Sequence, residues 1–270
     1  MVSVVGTVGD DTIAPAQAQA GVATEIGLGL ATSAIGSGIT LSVQHVRRSF
    51  RERAVSRAAR AFFGIGRAPI RIIHSSVYDP PENAYNYPAT DTRAARELVQ
   101  LFESMQMREG VDFTVEPDRR ITNTSLLRED NTVLLCGPAR NGLSADLLGR
   151  TDLRYQMHAT RGVNVLTDTQ RPNVRYLPSR ELPLPPTRSF DYGLIASFPH
   201  PGNSERRVVV LAGIHGTGTV GAAEYVCTPG NLERIVKAFE YQRTSLVVRV
   251  DYDDADLETP TGVTEDFVVS

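Results

Sequence analysis

The sequence predicts an α/β fold, a mostly parallel sheet with helices on both faces, and three observations carry that prediction. Three short runs, Ile70–Ile73, Thr132–Cys136 and Arg207–Ala212, are almost uniformly apolar rather than alternating, as strands covered on both faces are. Each opens at its carboxyl end into a loop of turn-forming and polar residues. Each loop is followed by a helical pattern: Asp91–Met107, Ser144–Leu148 and Thr219–Val226. Strand, loop and helix in repetition build such a sheet.

The chain begins differently. Met1–Ala20 is small and polar, with Asp10 and Asp11 where a secretory signal needs positive charge. Ile26–Val43 then runs without a charge, at the lower length limit for spanning a bilayer as a helix. Its small residues repeat at four-residue spacing (Gly27/Ala31, Gly29/Ser33/Ser37), which permits close helix approach. Glycine costs a water-exposed helix about 1 kcal/mol relative to alanine, so this Gly-rich helix calls for burial in a membrane or in the core of a homo-oligomer. Arg47, Arg48, Arg51, Arg53, Arg57 and Arg60 follow on an amphipathic helix whose apolar face is Val46, Phe50, Ala54, Ala58 and Phe62. Their charge would hold the following mass in the cytoplasm if the preceding segment entered lipid. Gly64 and Gly66 end that helix. The expected organisation is an N-terminal segment 1–45, a connector helix 46–66 and an α/β domain 67–270, in a cytoplasmic protein with membrane association through residues 26–43 left open.

Composition removes several function classes. The 270 residues carry a net charge of −3, unlike a protein that coats nucleic acid. Two cysteines exclude a disulfide scaffold or a Cys-rich zinc module. Five scattered histidines give no metal spacing, and no tryptophan is available for a carbohydrate platform. Lys237 is the sole lysine among 28 basic residues.

The remaining elements are strands at Asp112–Val115, Asp191–Phe198 and Leu246–Val250, and a turn at Phe198–Asn203 joining antiparallel strands. A proline-punctuated excursion spans Thr160–Arg188, with short strands at Val163–Leu166 and Val174–Leu177. The acidic tail Asp251–Ser270 is partly extended.

In open α/β sheets, ligands bind outside the carboxyl ends of the strands. The loops there supply the candidate ligand-binding residues: Ser75 and Ser76; Gly137 and Asn141; Gly213, His215, Gly216, Thr217, Gly218 and Thr219. Gly216-Thr-Gly218-Thr-Val-Gly221 matches G-x-G-x-x-G between a strand and a helix, the setting in which backbone N–H groups meet phosphate. The helix is soon cut by Thr228-Pro229-Gly230, and no acidic residue follows at a strand end about 20 positions on. The motif therefore fits a phosphate-contacting loop or a purely structural tight turn. His215 and His74 fit ligand contact or solvent exposure, and Asn141 a ligand contact or a turn. Cys136 reads as a small core residue. No P-loop and no G-x-S-x-G elbow is present.

The segments IIHSSVYD, DTRAARELVQLF, VDFTVEPDRRI and NTVLLCGPARNGLSADLL resemble two families, the TIR domains and the nucleoside deoxyribosyltransferase-like domains. The resemblance covers under a third of the chain. It implies a Rossmann-like or flavodoxin-like domain, a nucleotide-like ligand and a setting in bacterial signalling or defence. Those families use a helical glutamate in catalysis, whereas the helix after CGPARNG carries Asp146. The resulting expectation is a sensor or effector. Its domain binds a nucleotide-like or other small anionic ligand and couples it to N-terminal oligomerisation or membrane attachment. The alternatives are an N-glycosidase cleaving NAD or a nucleoside, with Asp79, Glu82 or Asp146 as the carboxylate, and a scaffold that has lost its ligand.

Overall fold

The structure, a computed structural model, describes residues 56–79, 84–121, 127–183, 186–238 and 243–265. The Gly-rich segment 26–43, with its membrane and oligomer readings, lies outside them, as do the first half of the Arg-rich helix and residues 266–270. Among the described residues no helix is long and apolar enough to cross a membrane.

Residues 56–63 form α1, which belongs to the same compact unit as the rest of the described chain, Arg53–Ser270. It buries Ala58, Ala59, Phe62 and Phe63 and leaves Arg57 and Arg60 exposed, so this described part of the connector docks on the α/β core. Gly64 and Gly66 end it at φ +75° and +89°, a backbone that costs glycine little.

The strands are β1 (Ile70–His74), β2 (Val77–Asp79), β3 (Ala84–Asn86), β4 (Phe113–Pro117), β5 (Asn131–Leu135), β6 (Tyr155–Thr160), β7 (Val163–Asp168), β8 (Ser189–His200), β9 (Asn203–Gly213), β10 (Thr244–Asp253) and β11 (Asp256–Glu265). The helices after α1 are α2 (Ala89–Ser104), α3 (Gly142–Gly149), α4 (Gly216–Cys227) and α5 (Asn231–Ala238). Seven strands make one sheet in the order β11-β10-β8-β9-β5-β1-β4, and β2–β3 and β6–β7 are separate hairpins.

The sheet is mixed. β4, β1, β5 and β9 run parallel, whereas β9–β8, β8–β10 and β10–β11 are antiparallel. The expected predominance of parallel pairing therefore holds for one half only. The two-residue turn after His200 sends β9 back beside β8, with a register irregularity at Pro199/His200, as the turn residues there predict. Val174–Leu177 forms no strand; a single bridge, Thr167 to Arg175, ties it to β7.

Helices do lie on both faces, unequally. One face packs Ile72, Val133, Leu211 and Val248 beneath α1, α2, α4 and α5. In α2 the helical spacing of Ala94, Leu98, Leu101 and Phe102 turns all four inward. The other face, with Ile73, Leu134, Val210 and Val247, is covered by α3, the β6–β7 hairpin and Tyr176. Because α2 and α3 leave neighbouring strands β1 and β5 toward opposite faces, a crevice opens at the strands' carboxyl ends.

Candidate functional site

The three predicted loops meet at that edge. β1 delivers His74, Ser75 and Ser76; β5 delivers Cys136 to Asn141; β9 delivers Gly213 to Thr219 at the start of α4. The tip of the β6–β7 hairpin closes the opposite side. Between the β5 and β9 loops and that hairpin tip is a crevice of about 320 Å³, lined among others by Cys136, Arg140, Asn164, Gly213, His215 and Thr219 and by no residue of the β1 loop. That is near the lower end of small-ligand pockets.

The G-x-G-x-x-G loop is satisfied from within the chain. Asp191, on β8 and fully buried, accepts from Gly218 N at 2.7 Å, His215 N at 3.1 Å and Tyr192 N at 2.8 Å. A carboxylate of the chain thus occupies the place at the α4 N-terminus where the phosphate of a ligand was expected. Burial pushes the Asp191 carboxyl above the usual carboxylate range, opposed by the neighbouring His215 and by these N–H groups. Thr219 Oγ1 accepts from Gly213 N at 2.8 Å.

The glycines have packing roles. A side chain on Gly218 would meet Tyr192 O and Asp191 Oδ2, one on Gly221 would meet Val250, and one on Gly216 would meet Thr90. Thr217 is buried. The motif therefore forms a tight strand-to-helix junction packed against its own chain.

Other expected ligand contacts are also engaged. Asn141 is the N-cap of α3: its Oδ1 accepts from Leu143 N and Ser144 N at 3.0 and 3.3 Å, and its Nδ2 donates to Leu135 O. Gly137 leaves room for Asn164, which accepts from Ala139 N at 2.8 Å and donates to Gly213 O at 2.9 Å. Asn164 thereby clamps the β5 and β9 loops together. Ser76 Oγ donates to Asp118 at 2.5 Å. Asp146 is exposed and paired with Arg150 at 2.7 Å; Glu82 and the side chain of Asp79 lie outside the described residues.

Two groups in the crevice are not engaged this way. Arg140 is exposed, and its guanidinium makes no hydrogen bond or ion pair with a described residue. His215 Nε2 is shielded from solvent without a hydrogen-bond partner among the described residues; the nearest acidic oxygen, Glu181 Oε1, is 3.5 Å away. Arg140 can meet an anion, whereas His215 Nε2 faces the Glu181 carboxylate.

Behind the crevice wall lies a cluster that sequence patterns did not mark as a site. Ser75, fully buried, donates Oγ to Asp91 Oδ2 at 2.5 Å. Asp91 sits in the first turn of α2 with 1% exposure. Burial raises the Asp91 carboxyl above its ordinary range, against the pull of Ser75 and nearby His74. Burial and the Asp91 charge push the Cys136 thiol up to about 12, while Ser75, Gly137 N–H and Arg140 pull the other way.

Cys136 itself has φ +78°, a conformation costing a non-glycine residue of order 1–3 kcal/mol. It is pinned by its N–H to Leu211 O at 3.1 Å and by its carbonyl, which accepts from Ser144 Oγ at 2.9 Å. The apolar run before Cys136 concealed this bend, since a residue ending a buried strand resembles core.

No group of histidine, cysteine and acidic residues among the described residues is arranged to hold a metal ion. Compared with protein-family models, curated proteins and solved structures, the chain matches none.

Proposed function

We propose that the α/β domain is a Rossmann-like binding module for a small anionic ligand, held in the crevice between the β5 and β9 loops, in a protein that acts as a sensor or effector. The observation that carries this reading is the uncommitted Arg140 guanidinium on a crevice of about 320 Å³. The ligand is no larger than a mononucleotide, because Asp191 takes the α4 amides that a dinucleotide's pyrophosphate would need. Docking of α1 on the core gives ligand binding a route to the N-terminal segment. The test is thermal unfolding with AMP, inorganic phosphate and succinate, for the wild-type chain and Arg140→Gln. Ligand at 100 times its Kd stabilises by about 2.7 kcal/mol, and Arg140→Gln should abolish most of the shift. No shift with any of the three, or an equal shift in the variant, would refute the reading.

The scaffold reading also has a specific observation in its favour. The phosphate position of the fingerprint loop is filled by Asp191, as expected of a domain that retains the fold without the ligand. Failure of all three anions would leave that reading standing.

A further inference from the structure

A second cavity lies at the opposite edge of the sheet from the crevice, by the amino ends of β1 and β4. Its volume is about 440 Å³, within the range of small-ligand pockets. Its walls come from α1, the turn leading into β1, and the segment between α2 and β4. The floor is apolar. Ile65, Met105 and Met107 pack on the core but are only partly buried, and Val111 is 57% exposed. Methionine side chains adapt readily to an apolar guest.

The rim carries positive charge. Arg60 and Arg67 both line the cavity and are exposed. Arg60 Nη1 lies 3.4 Å from where a side chain on Gly66 would begin, so its guanidinium rests on the turn that leads into Arg67. Neither arginine has an ion pair with a described residue. The carboxylate in the lining, Asp112, accepts from Arg108 N at 2.8 Å and faces the Arg108 guanidinium at 3.6 Å. The charge of Arg67 is also felt inside the domain: with burial, it holds the Arg207 guanidinium below its ordinary range. Guanidinium groups offer fork-shaped donors that match carboxylate and phosphate oxygens, and here two of them stand over exposed apolar surface.

We infer that this cavity binds an amphipathic anion, with a phosphate or carboxylate head held by Arg60 and Arg67 and a short apolar chain laid against Ile65, Met105, Met107 and Val111. The site is independent of Arg140 and the crevice. A head and chain of this kind belong both to free alkyl phosphates and fatty acids and to the anionic lipids of a bilayer, and the experiment separates these sources.

The full chain has four methionines, Met1, Met105, Met107 and Met157, so 13C-methyl labelling of methionine puts two of the four NMR signals in the cavity. Met157 packs on the other face of the sheet and serves as the control for an intact fold. Octyl phosphate, kept below its micellar concentration, should shift the Met105 and Met107 signals saturably and leave Met157 in place. Arg60→Gln and Arg67→Gln, both exposed changes, should each weaken binding about tenfold, the loss of one charge-assisted contact. Arg140→Gln should leave the affinity unchanged. Inorganic phosphate lacks the chain and octanol lacks the charge, and each should bind roughly tenfold more weakly or worse.

Shifts that do not saturate, that Met157 shares equally, or that survive undiminished in both arginine variants overturn the inference. Equal affinity for inorganic phosphate or for octanol overturns it as well. Phosphatidylglycerol vesicles, with phosphatidylcholine vesicles as the neutral control, decide the source. Cosedimentation with the anionic vesicles alone that both arginine substitutions weaken assigns the ligand to a bilayer. Cosedimentation that is absent or indifferent to them, beside saturable octyl phosphate binding, assigns it to a free amphiphile.

Discussion

Removing the Asp191 carboxylate should destabilise the domain by about 4 kcal/mol. Asp191 accepts three backbone N–H bonds, at 2.7, 2.8 and 3.1 Å, in a fully buried position. Asp191→Ala leaves those donors without partners, at about 1–3 kcal/mol each. Burial also penalises the charged carboxylate, and that penalty disappears with it, which brings the sum to the lower half of the range. Asp191→Asn keeps one acceptor. Its carbonyl in the Oδ2 position still serves Gly218 and His215, but its amide then faces the Tyr192 N–H donor, a loss of about 2 kcal/mol. Urea unfolding followed by circular dichroism reads both values. At a slope of about 3 kcal/mol/M, Asp191→Ala should lower the midpoint by more than 1 M and Asp191→Asn by about half as much. A change under 0.5 kcal/mol for Asp191→Ala would show that the loop finds other acceptors, and would reopen the α4 N-terminus to an external phosphate.

Two further expectations follow from backbone and packing. Cys136→Gly should be more stable than Cys136→Ala by about 0.5–1 kcal/mol, because both lose the thiol but only glycine accepts φ +78° without strain; equal stabilities would show that the bend relaxes. Gly221→Ala places a Cβ within 3.0 Å of Val250 side-chain atoms and should cost about 1–3 kcal/mol. Thermal denaturation of Gly221→Ala with and without Val250→Ala should show the second change recovering part of the loss; strictly additive losses would mean the two positions do not clash.

The parallel half of the sheet was legible because β1, β5 and β9 carry an apolar run, a polar loop and a helical pattern in series, and their loops do meet at one edge. In the other half the turn at Phe198–Asn203 marked β8 and β9 as antiparallel, but the directions of β10 and β11 were not legible. β8 and β10 are buried along most of their length, and burial on both faces erases the alternation that marks an antiparallel strand with one wet face. The short α5 followed Thr228-Pro229-Gly230 and was missed because eight residues carry little periodicity. At the site, the glycine loop was found but the carboxylate that accepts from its N–H groups was not. Asp191 precedes Gly218 by 27 positions, and no local spacing connects the two. Ser75 and Asp91, joined by a hydrogen bond, and Cys136 come from three elements, so each residue read alone as polar loop, helix start or core.

The β8–β9 hairpin occupies the middle of the seven-strand sheet. The turn between its strands is two residues, whereas the neighbouring β5–β9 side is tied together by a contact such as Asn131 with Arg207, 76 positions apart. Loop-closure entropy grows with the logarithm of length, so bridging the longer span costs the open chain about 3 kcal/mol more than closing the turn. The middle of this sheet and its β11 edge, where two residues also separate β10 from β11, are where the chain meets itself at least entropic expense.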